Sequence, residues 1–310
     1  MYQPRRHVFV VAATAAAIAL PATALALTGG TQATARVTPT VAAAATAPAA
    51  AAQPQRSEVV GLTDKGRLVK FRSTSPDKIR GTARVQGLEG DQRLVGIDYR
   101  VQNGKLYGVG DRGGIYTIDT GASFGQATKV SQLTVPLSGQ NFGVDFNPAA
   151  NRLRVISDTG QNLRHNLDDP AGTPAAGMTA TDGTLAYPGV PPAPPTTATQ
   201  VTAAAYTNND LDPNTATTLF DIDTMLDQVV IQSPANAGLL APTGKLTVDA
   251  GPWAGFDIST QGGGNCGLAV LNTGGRMRLY DIGLITGKAT KLGTFPSSVQ
   301  VVDLAVPLAR

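Results

Sequence analysis

Histidine and cysteine, which build most zinc sites and many nucleophilic ones, are nearly missing from this chain: its 310 residues hold two His and one Cys. A lone Cys266 excludes an intramolecular disulfide. Its neighbours, Gly264-Asn265-Cys266-Gly267-Leu268-Ala269-Val270, read as the start of a strand, which gives the thiol a buried structural role. His7 lies near the N-terminus, so His165 is the one His of the folded part. Neither a Ser-His-Asp site nor a zinc site has its usual side chains. Helix formers are scarce too. Of 22 acids only Glu58 and Glu89 are Glu; the others are Asp, which prefers turns. No segment beyond residue 27 carries a helical period. A basic excess is also lacking. Four of the 25 basic residues (Arg5, Arg6, Arg36, Arg56) precede Ser57, and the remaining 21 face 22 acids, a net charge of −1 that argues against a nucleic-acid surface.

What is present starts with a short positive head, Arg5 and Arg6, and an apolar run from Val8 to Leu27. Small residues at Ala22-Thr23-Ala24 or Ala24-Leu25-Ala26 suit a signal peptidase, so residues 1–27 read as a secretory signal. A retained membrane anchor is the alternative, because the run is near the roughly 20 residues that span a bilayer. Cleavage leaves no membrane span. Residues 28–56 are Ala, Thr, Pro and Gln without an apolar period, which predicts a disordered tether. The folded domain is expected over 57–310, secreted and extracellular or attached to the cell wall.

Within that domain apolar residues alternate, as in Met277-Arg278-Leu279-Tyr280-Asp281-Ile282, the strand period of two. The pattern also repeats. Leu94-Val-Gly-Ile-Asp98-Tyr, Asn141-Phe-Gly-Val-Asp145-Phe, Val201-Thr-Ala-Ala-Ala-Tyr206 and Trp253-Ala-Gly-Phe-Asp257-Ile each open a unit of further short strands. Their spacing of roughly 45 to 60 residues is that of a four-stranded propeller blade. Glu58-Val-Val-Gly-Leu resembles the second strand of a unit, and Val299-Gln-Val-Val-Asp303-Leu-Ala-Val the missing opener. The predicted fold is therefore all-β, a β-propeller of about five four-stranded blades closed by N- and C-terminal strands; a six-bladed or irregular propeller is the alternative. Pro188 to Pro195 cannot pair as a central strand and reads as a loop between the third and fourth units.

These motifs carry a family resemblance. Phe142-Gly-Val-Asp-Phe-Asn-Pro148, Arg152-Leu-Arg-Val-Ile-Ser157, Thr159-Gly-Gln-Asn-Leu-Arg164, Val201 to Asn208, Thr218 to Thr224 and Trp253 to Ile258 resemble the domain of unknown function 4394 family. Its members are typically exported bacterial proteins of repeated β units with no established activity. The resemblance thus implies the class and leaves the chemistry open.

Three groups of residues are candidates for chemistry. Asp98, Asp145, Asp257 and Asp303 recur at one position of the opening strand, which lines the channel of a propeller. They could hold Ca²⁺ through carboxylate oxygens, or each could accept backbone hydrogen bonds at a strand end. Asp221, Asp223 and Asp227 form a second acidic group, with Asp223 placed to cap a turn. The segment from Ser157 to Arg164 is unusually polar. Arg152, Arg154, Asp158, Gln161, Asn162 and Arg164 could grip a carboxylate, phosphate or sugar, or form a hydrogen-bonded hairpin. His165 is read as standing where Tyr116, Phe220 and Tyr280 stand in other units. The function expected is a non-catalytic binding or scaffold module for a small molecule, glycan, cell-wall component or protein. A metal-dependent hydrolase or lyase working from the channel Asp residues is the alternative.

Overall fold

Half-buried and fully buried segments fold here as two kinds of strand. The computed structural model describes residues 57–308 apart from 213, 262 and 263. The predicted signal and tether lie outside the described residues. Twenty-two strands form five four-stranded antiparallel sheets and one small hairpin. Blade 1 takes β1 (Glu58–Thr63), β2 (Arg67–Arg72) and β3 (Gly81–Arg84). Blade 2 is β4 (Leu94–Arg100), β5 (Lys105–Gly110), β6 (Gly114–Ile118) and β7 (Ala127–Gln132). Blade 3 is β8 (Phe142–Asn147), β9 (Arg152–Ser157), β10 (Asn162–His165) and β11 (Thr179–Thr181). The hairpin is β12 (Ala186–Tyr187) with β13 (Thr196–Thr197). Blade 4 is β14 (Val201–Tyr206), β15 (Leu219–Asp223), β16 (Gln228–Gln232) and β17 (Leu240–Lys245). Blade 5 is β18 (Ala254–Gln261), β19 (Gly264–Thr273), β20 (Arg276–Ile282) and β21 (Ala289–Thr294). The last strand, β22 (Val301–Ala305), returns to pair with β1 and completes blade 1. The protein is a five-bladed β-propeller closed by its two ends.

Burial follows the distance from the axis. Inner strands are covered on both faces, and β9 and β14 are buried at every residue. Outer strands such as β3 and β7 alternate between covered and exposed. Five hydrophobic clusters hold the ring, one between each pair of neighbouring blades. Between blades 5 and 1, for example, Val270 and Leu279 meet Val59 and Phe71, and Phe71 stacks edge-on against Phe295 with centroids 4.9 Å apart. Such pairs add roughly 0.5–1.5 kcal/mol beyond the area they bury. The Pro-rich loop predicted at Pro188–Pro195 is the tip of the β12–β13 hairpin. Among the described residues no helix is long and apolar enough to cross a membrane.

Glycine sets how closely the inner strands approach. A Cβ on Gly143 would stand 2.7 Å from the Ala204 backbone nitrogen of the next blade, and one on Gly255 would stand 2.8 Å from Asp303 Oδ1. No side chain fits at either place, so the openers converge on a narrow axis.

Candidate functional site

Strand pairing decides which acids share a level at the axis. Asp98 lies opposite Tyr107, Asp145 opposite Arg154 and Asp257 opposite Leu268. Those partners are equivalent positions of the second strand. In blade 4 the same place holds Ala205, opposite Phe220. In blade 1 it holds Ala305, opposite Val60, whose following Gly61 matches Gly108 of blade 2. Asp303 therefore stands two residues away, at the level of Gly96 and Gly255. Aligning Val-Asp303-Leu by eye with the other openers sets four acids at one position; the register sets three there and Asp303 in the adjoining layer. The bulge between Leu62 and Thr63, and the absence of a glycine in β22, hide that offset in the sequence.

The three equivalent acids meet. Carboxylate oxygens of Asp98, Asp145 and Asp257 all lie within 4.8 Å of one another. Each residue is 2–5% exposed, and Asp303 is 4% exposed. Backbone amides of neighbouring openers aim at them. Phe146 N donates to Asp98 Oδ2 at 2.8 Å, Tyr206 N to Asp145 Oδ1 at 3.2 Å, Val306 N to Asp257 Oδ2 at 2.6 Å and Ile97 N to Asp303 Oδ2 at 2.8 Å. Tyr99 N donates to Asp98 Oδ1 at 2.6 Å. Asp257 Oδ1 is buried, and no well-formed hydrogen bond reaches it. Burial, and then the charge of the other acids, pushes the carboxyls of Asp98 and Asp145 well above the usual carboxylate range. Asp303 is raised likewise by burial, and Asp257 to about 6.

Where the openers begin, the ring has a mouth. A depression of about 70 Å³ is lined by Asp64, Arg93, Gln140, Asn141 and Trp253 over the apolar floor of Leu94, Phe142 and Ala254. Trp253, the chain's only Trp, is 40% exposed there. The mouth's only mark in the sequence is a lone Trp placed directly before an opening strand.

The six residues of the polar segment divide into two sets. Asp158 and Gln161 brace the mouth. Asp158 accepts from Gln140 N at 3.0 Å, Asn141 N at 3.2 Å and Asn141 Nδ2 at 3.0 Å. Gln161 accepts from Ser138 N and donates to the Pro136 carbonyl. The others point into the seam between blades 3 and 4 or onto the long loop before β11. Arg154 donates to Asn162 Oδ1 and Asp182 Oδ2 at 2.7 Å each, to Asn236 Oδ1 at 2.8 Å and to Tyr206 Oη at 3.3 Å. Arg164 forks onto both oxygens of Asp182 at 3.0 and 3.1 Å. Arg152 bonds Asp169 and the carbonyls of Ala150 and Asn151. A ligand at these groups would have to displace protein partners.

Three further positions differ from expectation or sharpen it. His165 lies opposite Leu153, whereas Tyr116 lies opposite Gly108, so His165 takes the place of Ile118 rather than of the aromatics. Its ring nitrogens contact Ser131 and Thr179 hydroxyls at 2.9 Å each, and burial lowers its pKa to about 4. Cys266 is half-buried rather than enclosed. Asp223 caps its turn by accepting from Met225 N and Leu226 N, while Asp221 is fully buried and neither of its oxygens finds a partner.

A small propeller with a core of buried carboxylates on its axis and an aromatic residue at its mouth is the class of molecule these features define. The chain belongs to the family described as Domain of unknown function (DUF4394), whose signature matches residues 67–305. No curated protein matches it. Solved structures match the chain at low identity. A Bacteroides thetaiotaomicron protein of unknown function is 11% identical, with 84% of this chain and 68% of that one covered and a TM-score of 0.44. An auxiliary nutrient binding protein of the same organism is also 11% identical, over 80% of this chain and 61% of that one, at 0.42. Myxococcus xanthus glutaminyl cyclase is 14% identical, over 78% and 84%, at 0.40.

Proposed function

We propose that this protein is an exported, non-catalytic binding module that presents the mouth of a rigid ring to a small molecule or glycan. One observation carries the reading: the half-exposed Trp253 stands at a polar-rimmed depression whose loop is locked from behind by Asp158. An aromatic face supplies area at little entropic cost. Exposed Arg93 and Gln140 beside it supply directional hydrogen bonds. Sugars and planar acids suit such a pairing of a flat apolar platform with polar edges.

A single Trp makes the test direct. Titration of the purified protein with a panel of mono- and oligosaccharides and small carboxylic acids, followed by Trp fluorescence, should give a saturable change for one chemical class. Trp253→Ala should abolish binding by calorimetry and lower the melting temperature only modestly, because the side chain is 40% exposed and belongs to none of the five hydrophobic clusters. A compound that stabilises wild type and Trp253→Ala equally would refute the mouth as the site.

A further inference from the structure

The axial acids pose a charge problem that the fold does not itself solve. Three carboxylates sit together near the centre of the molecule. The ion pairs among the described residues all lie elsewhere, on Asp168, Asp169 and Asp182. Charged groups buried without a counter-charge are costly, and interiors normally neutralise them with a proton, a basic side chain or a metal ion. The backbone amides that donate to Asp98, Asp145 and Asp257 favour the ionised forms, since a carboxylate accepts a hydrogen bond more strongly than a neutral carboxyl does. Asp257 Oδ1 adds a second sign: it is a buried acceptor that no well-formed hydrogen bond reaches, with only the amide of the adjacent Ile258 near its carboxylate. The other titratable groups facing the cluster are Asp303 and the phenols of Tyr99 and Tyr206, none of which supplies a positive charge.

We propose that Asp98, Asp145 and Asp257 hold one hard divalent cation of the Ca²⁺ type on the propeller axis, tying blades 2, 3 and 5 together. The donor set is oxygen only, which suits Ca²⁺ and excludes soft metals. Two ligands of one Ca²⁺ can stand about 4.6–5.2 Å apart at most, given bonds of 2.3–2.6 Å. Three oxygens sharing one such ion evenly stand about 4.0–4.5 Å apart by the same bond lengths, so carboxylates within 4.8 Å of one another need at most a few tenths of an ångström of inward movement to meet it. Burial in the absence of metal raises these carboxyls, and a cation would reverse the shift by stabilising the ionised state. The cation is structural in this assignment. It joins strands that lie far apart in the chain and does not depend on what binds at the mouth. Asp303, one layer away and bonded to Ile97 N, positions the neighbouring opener.

Native mass spectrometry of the full purified protein, before and after chelation with EDTA and readdition of CaCl₂, tests the assignment. One Ca²⁺ per chain is expected, with a melting temperature that falls on chelation and returns with Ca²⁺. The shift should be about 5–10 °C at a hundredfold excess over Kd. Asp257→Asn should lose both the bound mass and the Ca²⁺-dependent shift. Asp221→Asn, which changes a buried unpartnered acid elsewhere, should keep both. Should Asp257→Asn fail to fold, Mg²⁺ and Ca²⁺ titrations of the chelated wild type decide the matter, since a site of this reach prefers the larger ion. Absence of bound metal together with a melting temperature indifferent to EDTA, Ca²⁺ and Mg²⁺ would overturn the proposal and show that protons alone neutralise the cluster.

Discussion

Replacing Arg154 with Met should destabilise the protein heavily while sparing whatever binds at the mouth. The arginine side chain is 2% exposed and its partner Asp182 6% exposed, in the seam between blades 3 and 4. Its guanidinium satisfies Asn162, Asp182, Asn236 and Tyr206 together, drawing four chain segments onto one group. Its charge also eases the burial of Asp221, which no hydrogen bond stabilises. Methionine fills most of the volume but leaves two amide oxygens unmet and Asp182 dependent on Arg164 alone. Removing one member of a buried pair costs about 3–5 kcal/mol. In a domain of this size each kcal/mol moves the melting temperature by about 2–4 °C, so a fall of roughly 6–20 °C is expected. Arg164→Met should cost less, because that side chain is 19% exposed. Thermal unfolding followed by circular dichroism, with urea titration as a check, measures both. A loss under about 2 °C for Arg154→Met would refute the account of the seam. A variant that kept its stability but lost a ligand that binds wild type would return the arginines to the role of a binding site.

Two smaller predictions concern titration and reactivity. His165 is held near pKa 4 against about 6.5 in the unfolded chain, so it is neutral when folded. Its neutral form contributes stability that is complete above pH 6.5 and is lost as pH falls toward 4, by at most about 3 kcal/mol. The axial carboxyls, which are raised, act in the opposite sense over the same range. The measurement is therefore the pH dependence of the stability difference between wild type and His165→Asn, which should shrink as pH drops from 7 to 4; a flat difference would contradict it. For Cys266, partial burial and then the charge of Asp281 raise the thiol pKa. Reaction with a disulfide reagent should be slower than for a free thiol at pH 7.5 and accelerate up to pH 9, and fast labelling at neutral pH would show the strand edge to be open.

The ring and its closure were legible because repetition survives even where period two does not. Inner strands such as Arg152-Leu-Arg-Val-Ile-Ser157 are buried on both faces, so alternation vanishes there; the order of openers, hairpins and acidic turns still marks the blades. Blade 4 was the hardest opener to align, since Val201-Thr-Ala-Ala-Ala-Tyr206 replaces the Asp with Ala205 and packs against the backbone of Gly143. The axial acids were half legible. Their residue type was plain, but register is a property of paired strands, and nothing along a single strand reveals that Asp303 belongs one layer away. The polar segment misled for a related reason. Arginines in sequence can serve a ligand or a seam, and only the positions of Asp182 and Asn236, 28 and 82 residues beyond Arg154, distinguish the two.

The pairing of β22 with β1 has a temporal consequence. A chain made from its N-terminus lays down three strands of blade 1 early and receives the fourth only when Val301–Ala305 appear. Until then the row of amides and carbonyls along β1 is unpaired, and the apolar faces of Val59 and Phe71 await Val270 and Leu279. Such half-built sheets are where neighbouring chains stick to one another. The hazard ends in one late event, the arrival of β22 beside β1, so chaperone protection is needed for as long as that strand is missing.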